Sequence, residues 1–281
     1  MLARVPASSA NLGPGFDAVA VALALYVEVE VVPAARLALS TTGEGAGLFD
    51  GPDHLAVRVV RQVTGHDRFA VRVHSQIPLS RGLGSSAALA LAAAAAAGSG
   101  DPLAVAVAID GHAENAAASA RGGLVAARLS PAGVEVVDLA LDPAWRFVVV
   151  IPEALLATAD ARAALPPRVD RADAVANLSG LAFVLAGLGD HRRFLAGAMA
   201  DRLHQPFRAA LFPQAESIMG ALRDAGAVDA CWSGAGTAML GLATQDRAAA
   251  VAAATTRALA RERIAARVEM LDPDRGGLVV R

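Results

Sequence analysis

Residues Ile77 to Ala88 read Ile-Pro-Leu-Ser-Arg-Gly-Leu-Gly-Ser-Ser-Ala-Ala and run directly into a stretch that is almost all alanine and leucine as far as Ala97. The two halves constrain each other. Alanine and leucine are strong helix formers, so a helix is predicted from Ser85 to Ala97, and the glycines before it must form the loop that delivers the chain onto its N-terminus. The helix is too small-sided to carry an amphipathic stripe, which predicts close packing against its neighbours. Its first amides, its dipole and the hydroxyls of Ser85 and Ser86 together suit an anion such as a phosphate group. It is not the usual P-loop, because Ser85 stands where that pattern requires lysine. A plain turn with an N-cap would read the same way, so other segments must decide.

Two do. Pro6 to Asp17 is a turn-rich patch, Pro-Ala-Ser-Ser-Ala-Asn-Leu-Gly-Pro-Gly-Phe-Asp, between two strand-like pieces, with polar Asn11 and Asp17 on the loop. Cys231 to Thr237, Cys-Trp-Ser-Gly-Ala-Gly-Thr, is a further glycine loop and leads into the strand-like run Ala238 to Leu242.

Composition narrows the function classes. The chain has 281 residues, enough for a full core in one or two domains. Its net charge of −2 argues against nucleic acid as the main partner. Although 55% of residues are hydrophobic, charges are spread throughout, so no membrane-spanning stretch and no membrane partner are expected. The start, Met-Leu-Ala-Arg, leads straight into a predicted strand without an export signal, and a cytoplasmic protein is the simplest reading. The single cysteine, Cys231, excludes an internal disulfide and a multi-cysteine metal site, and is expected to be a small buried side chain. There is no lysine, so anion recognition must rest on arginine, amide N–H groups and metal.

Strand and helix patterns alternate. Strands dominate from Leu2 to Val73 around a helix near His54 to Thr64. Helices follow at Leu103 to Ala118, Asp170 to Leu188, His191 to Leu203, Gln214 to Asp224 and Arg247 to Arg261, with strands at Gly122 to Arg128, Val134 to Leu139 and Phe147 to Ile151, and a final strand after the last helix. The segment Ala140 to Ala144 is the best boundary candidate, giving expected domains 1–142 and 143–281.

In this order and spacing the three glycine segments resemble the motifs of the GHMP small-molecule kinases, and the string Ser9 to Asp17 is most similar to the homoserine kinase branch. Further matches occur at Gly111 to Asn115 before Gly122-Gly123, Thr158 to Arg162, Arg171 to Asn177 and Asp201 to Arg208, so the resemblance runs from Val5 to about Leu242. It implies an α+β two-domain fold: an N-terminal ribosomal-protein-S5-like domain with the phosphate loop, and a C-terminal ferredoxin-like domain, with the site between them. The implied activity is ATP-dependent phosphorylation of L-homoserine to O-phospho-L-homoserine, in threonine biosynthesis. A homodimer is implied as well.

The resemblance also implies roles. Arg81, Gly82, Leu83, Gly84, Ser85, Ser86 and Ala87 hold the ATP phosphates, and His54 to Arg58 match the segment near the nucleotide base. Ser86 and Asp110 hold Mg2+, a hard cation that takes oxygen ligands. Asn11, Asp17, His112, Asn115, Arg162 and Arg208 receive the amino acid, with Asp17 for the ammonium and the two arginines for the carboxylate. Asn115 stands where mevalonate-kinase-like members have a candidate base. An amide cannot accept a proton at neutral pH, so direct in-line attack positioned by Ser86, Asp110 and Asn115 is implied, without a general base. Adjacent Glu114 is expected to point elsewhere.

Several positions depart from the family pattern. Asp110 is one methylene shorter than the usual glutamate, Ala113 replaces proline, Glu114 replaces aspartate, and no proline precedes Thr237, so the third loop is expected to be less rigid. Two other readings therefore stand beside homoserine phosphorylation. One is a divergent GHMP paralogue with another hydroxylated acceptor, and the other is a non-catalytic nucleotide or amino-acid sensor.

Overall fold

A computed structural model describes residues 1–281. The alanine-rich segment forms α2 (Ser85–Ala96), and Ala87, Ala88, Ala90 and every residue from Leu91 to Ala96 are buried. Side chains this small lose little entropy on burial and let the helix lie close on the sheet behind it. That sheet is built from β1 (Leu2–Ala10), β2 (Val19–Pro33), β3 (Ala38–Gly43), β4 (Phe69–Ser75), β5 (Leu124–Ser130) and β6 (Gly133–Leu139). The long β2 is the organiser: β1 pairs along one edge, while β4 and β5 share the other, on residues 27–33 and 19–21. Helix α1 (Leu55–Thr64) buries Ala56, Val57, Val59 and Val60 in the same core.

The predicted helix from Leu103 to Ala118 is two helices, α3 (Pro102–Asp110) and α4 (Glu114–Arg121). Gly111 ends the first in the left-handed region, φ 79°, with its N–H on the Val107 carbonyl, as a glycine C-cap does. The corner matters for function, since it brings Asp110, His112, Glu114 and Asn115 to one cavity wall.

The chain then leaves the first sheet and builds a second from β7 (Trp145–Pro152), β8 (Asp229–Trp232), β9 (Met239–Thr244) and β10 (Ala266–Leu271). Between β7 and β8 lie α5 (Thr158–Ala163), α6 (Arg171–Gly189), the short α7 (Gln205–Arg208) and α8 (Ala215–Asp224); α9 (Ala248–Arg261) joins β9 to β10. The order β10-β7-β9-β8, antiparallel throughout, with α8 and α9 as the crossovers, is ferredoxin-like, as expected. The last strand, β11 (Val279–Val280), returns to pair with β1, so the end of the expected 143–281 unit lies on the first sheet.

Two further expectations change. The helix predicted from His191 to Leu203 is only a 3-10 turn at His191–Arg193, because the Asp201 carboxylate captures the N–H groups of Leu203, His204 and Gln205 and holds the chain in a turn. Helix α6 is long and apolar enough to cross a membrane by length and composition, against the expectation that no stretch would be. It is tied to the rest of the protein by buried Asn177, which donates to Asp201 Oδ1 at 2.6 Å and to the Pro14 carbonyl. Cys231 is fully buried, and burial pushes its thiol far above the range where a thiolate would form.

Candidate active site

The three glycine loops meet. Gly82 packs so tightly on the third loop that a Cβ there would lie 2.0 Å from the Ser233 carbonyl oxygen, an approach that only glycine permits. Ser233 Oγ donates to the Gly82 carbonyl at 2.7 Å, the Gly234 N–H to the Ala10 carbonyl, and Thr237 Oγ1 to the Ala154 carbonyl at 2.6 Å. The third loop, expected to be less rigid without its proline, is held by these bonds instead.

The first loop is bracketed by Asn11. Its Oδ1 accepts from the Asp17 N–H at 3.1 Å, and its Nδ2 donates to the Gly234 carbonyl at 2.9 Å. Asn11 and Asp17 both take left-handed backbone angles, φ 75° and 52°, which non-glycine residues adopt at a cost. Asn11 lines the cavity, but its amide is already committed to shaping the turn.

The loops enclose a cavity of about 130 Å³ lined by Asn11, Asp17, Asp110, His112, Glu114, Asn115, Thr158, Arg162, Arg208 and the loop residues Gly82 to Ala87. A second cavity of about 300 Å³ adjoins it, lined by Val27, Phe49, Asp53, His54, Leu55, Leu79 and Leu89. The two share Ser80, Ser85 and Ser86, at the start of α2. Arg81 is the loop residue that does not line either. Its guanidinium donates to the carbonyls of Leu79, Pro152 and Glu153, tying the loop to the end of β7.

Charges within the small cavity are arranged unevenly. Arg162 makes a bidentate pair with Asp17, Nη1–Oδ2 2.9 Å and Nη2–Oδ1 2.7 Å, and its Nε donates to His112 Nε2 at 2.7 Å. Two groups expected to bind opposite ends of one substrate are thus paired with each other. Burial, and then the Arg162 charge, lower the His112 pKa and keep the ring neutral. Since Nε2 accepts, the proton is on Nδ1. That atom is buried without a partner and lies 4.0 Å from Asp110.

Arg208 has no such partner. It is 1% exposed, forms no ion pair, and its donors reach only His204 Nδ1 and the carbonyls of Gly234 and Ala161. Burial, then Arg162, push its pKa down to about 10. A buried cation on a cavity wall with no carboxylate in contact carries a desolvation cost that a bound anion would relieve.

Asp110 is raised above the usual carboxylate range by burial, which the neighbouring His112 and Ser86 partly offset. Ser86 and Asp110 both line the small cavity and offer the hard oxygen donors that Mg2+ takes. Glu114 faces the cavity too, contrary to expectation, and burial pushes its carboxyl up to about 7. Asn115 is aimed by a residue that sequence reasoning missed: Ser8 Oγ donates to Asn115 Oδ1 at 2.9 Å, leaving the amide N–H groups free.

The glycine loops thus line a cleft where the two sheets meet. The sequence pattern described as the GHMP kinases N terminal domain matches residues 54–127, and that of the GHMP kinases C terminal domain matches residues 182–261. The chain belongs to the GHMP kinases, and so to a family that uses ATP. Within that family it stands among the homoserine kinases. It is 36% identical to a homoserine kinase of Moorella thermoacetica over 99% of both chains. It is 38% identical to one of Mycolicibacterium smegmatis over 86% of this chain and 84% of the relative. The crystal structure of homoserine kinase from Cytophaga hutchinsonii has the same fold, with a TM-score of 0.85, 24% identity and coverage of 100% and 97%. L. major mevalonate kinase in complex with R-mevalonate is similar in fold as well, with a TM-score of 0.70, 16% identity and coverage of 96% and 95%.

Proposed function

We propose that this protein transfers the γ-phosphoryl group of ATP to the side-chain hydroxyl of L-homoserine, forming O-phospho-L-homoserine for threonine synthesis. The observation that carries this is Arg208, a buried cation without a counter-charge on a cavity that also holds the Asp17–Arg162 pair. An α-amino acid brings one carboxylate and one ammonium. The carboxylate neutralises Arg208 and draws on Arg162, and the ammonium takes up the Asp17 carboxylate that Arg162 gives up.

The larger cavity, with its apolar Val27, Phe49 and Leu89, takes the nucleoside, and the shared edge at Ser85 and Ser86 places the phosphates at the start of α2. Mg2+ would be held by Ser86 and Asp110 and would supply charge neutralisation of the phosphates. Gly82 to Ala87 present the phosphate groups to the acceptor hydroxyl. Asn115, oriented by Ser8, donates an amide N–H toward the reacting oxygens and cannot take a proton. The hydroxyl oxygen bonds to the γ-phosphorus as the bond from that phosphorus to the ADP oxygen breaks, and the proton leaves to the transferred phosphoryl group or to solvent. Positioning and charge stabilisation carry the rate.

A second reading of the proton step has one observation in its favour, the Glu114 carboxyl at about 7 on the cavity wall. Its charged neighbours are Asp17 and Arg162, which receive the amino-acid head, and Asp110 on the metal side. Mg2+-dependent ADP release should therefore be saturable with L-homoserine and weak with L-serine, D-homoserine and mevalonate. Glu114→Gln should alter KM for L-homoserine while the pH profile of kcat keeps its shape. Loss of an ionisation near pH 7 from that profile would make Glu114 the base, and preferred turnover of another acceptor would overturn the substrate assignment.

The reading includes a cytoplasmic homodimer. Helix α6 supports it, with no charge between Asp173 and Asp190 and with Val175, Leu178 and Phe183 exposed. A monomeric sedimentation profile at micromolar concentration would overturn it.

A further inference from the structure

His204 is fully buried behind the cavity and does not line it. Its Nδ1 lies 3.0 Å from Arg208 Nη1, and its Nε2 lies 2.8 Å from the Gly13 carbonyl oxygen. A guanidinium can only donate, so Nδ1 must carry a lone pair; a carbonyl can only accept, so Nε2 must carry the proton. One tautomer of the neutral ring meets both demands. The imidazolium does not, since it would aim an N–H at the arginine.

The same ring stacks on Phe16, with centroids 5.2 Å apart, and the Phe16 ring lies 5.5 Å from the Arg208 guanidinium carbon and 5.6 Å from that of Arg162. The backbone on either side of His204 is fixed as well, by the Asp201 carboxylate, which is itself bonded to Asn177 of α6. Gly13 belongs to the turn that carries Asn11, Phe16 and Asp17. A Cβ on Gly13 would meet the Met199 carbonyl oxygen at 2.4 Å, so the turn is pressed against the segment that precedes His204.

Resting on the acceptor reading above, we propose that His204 is a positioning residue that joins Arg208 to the Asn11–Asp17 turn. It thereby sets the separation between the carboxylate-binding cation and the ammonium-binding anion to that of an α-amino acid. Arg208 lies on α7 of the second unit and Asp17 on the first sheet's loop, and the imidazole bridges them beside the Gly234 carbonyl, which accepts from both Arg208 and Asn11.

Three substitutions separate the ring's two bonds. His204→Asn keeps an acceptor near the place of Nδ1 and loses the donor to Gly13; His204→Gln keeps a donor near the place of Nε2; His204→Leu removes both. Each variant is first checked for a cooperative thermal transition. In His204→Leu, KM for L-homoserine should rise about 10- to 100-fold, the worth of a charge-assisted hydrogen bond, while KM for ATP stays within about threefold. His204→Asn should recover most of that loss and His204→Gln little of it, since the bond to Arg208 aims the cation. An unchanged KM for L-homoserine in His204→Leu, or equal rises for both substrates, overturns the proposal. The native enzyme failing to turn over L-homoserine removes the acceptor reading instead. Imidazole 15N shifts of the native enzyme test the bridge without any substrate: a proton on Nε2 alone at pH 7 supports it, and a proton on Nδ1 overturns it.

Discussion

Arg208→Met should raise KM for L-homoserine by about 100- to 1000-fold, the range measured when one member of a desolvated charge pair is removed. KM for ATP should move little, because Arg208 lines only the small cavity. The same substitution should leave the thermal midpoint of the unliganded protein unchanged or higher. Arg208 is buried without a carboxylate partner, so the folded protein carries an uncompensated desolvation penalty that a flexible apolar side chain of similar length removes. Loss of function with gain of stability is the signature of a residue kept for a ligand. A variant that melts well below the native protein, or that loses ATP affinity equally, would show Arg208 to be a structural cation. Arg208→Lys should rescue poorly, since an ammonium cannot keep the bonds to His204 and Gly234 and still present a planar donor edge to a carboxylate.

What is legible in the sequence follows from what physics writes locally. The start of α2 is set by two glycines and an alanine run within a short stretch, and Asp17, His112, Asn115, Arg162 and Arg208 all reach one cavity, as their motif positions implied. An arginine in a phosphate loop has two uses, and the carbonyls of Pro152 and Glu153 that engage the Arg81 guanidinium lie far along the chain. Ser8 and His204 escape notice for the same reason. Ser8 acts on a residue 107 positions away, and His204 on a carbonyl 191 positions away. Neither spacing has a local pattern. The break between α3 and α4 is the exception, since Gly111 is a recognisable C-cap inside an otherwise helical run. The facing of Glu114 into the cavity depends on that break, because it sets where α4 begins.

Asp110→Asn should lower kcat by about 100- to 1000-fold at saturating ATP and Mg2+, the usual loss when a group that stabilises transition-state charge is removed. Activity alone would not separate a metal ligand from a fold residue, but stability does. Burial raises the Asp110 pKa in the folded state above its unfolded value, so the folded protein holds that proton more tightly than the unfolded chain. Below the unfolded value both states are protonated and the residue is neutral in its effect. As pH rises, the folded state must give up a proton that it favours, and stability falls. The amide escapes that loss. Unliganded Asp110→Asn should therefore melt higher than the native protein at pH 8 and nearly with it at pH 3. Mg2+ with ADP should then reverse the order, since a bound cation favours the carboxylate and stabilises the native protein by mass action. A native protein whose melting point does not respond to Mg2+ in the presence of ADP would remove Asp110 from the metal site, and would move the reading toward a nucleotide sensor. A response that persists undiminished in Asp110→Asn would place the cation on other oxygens.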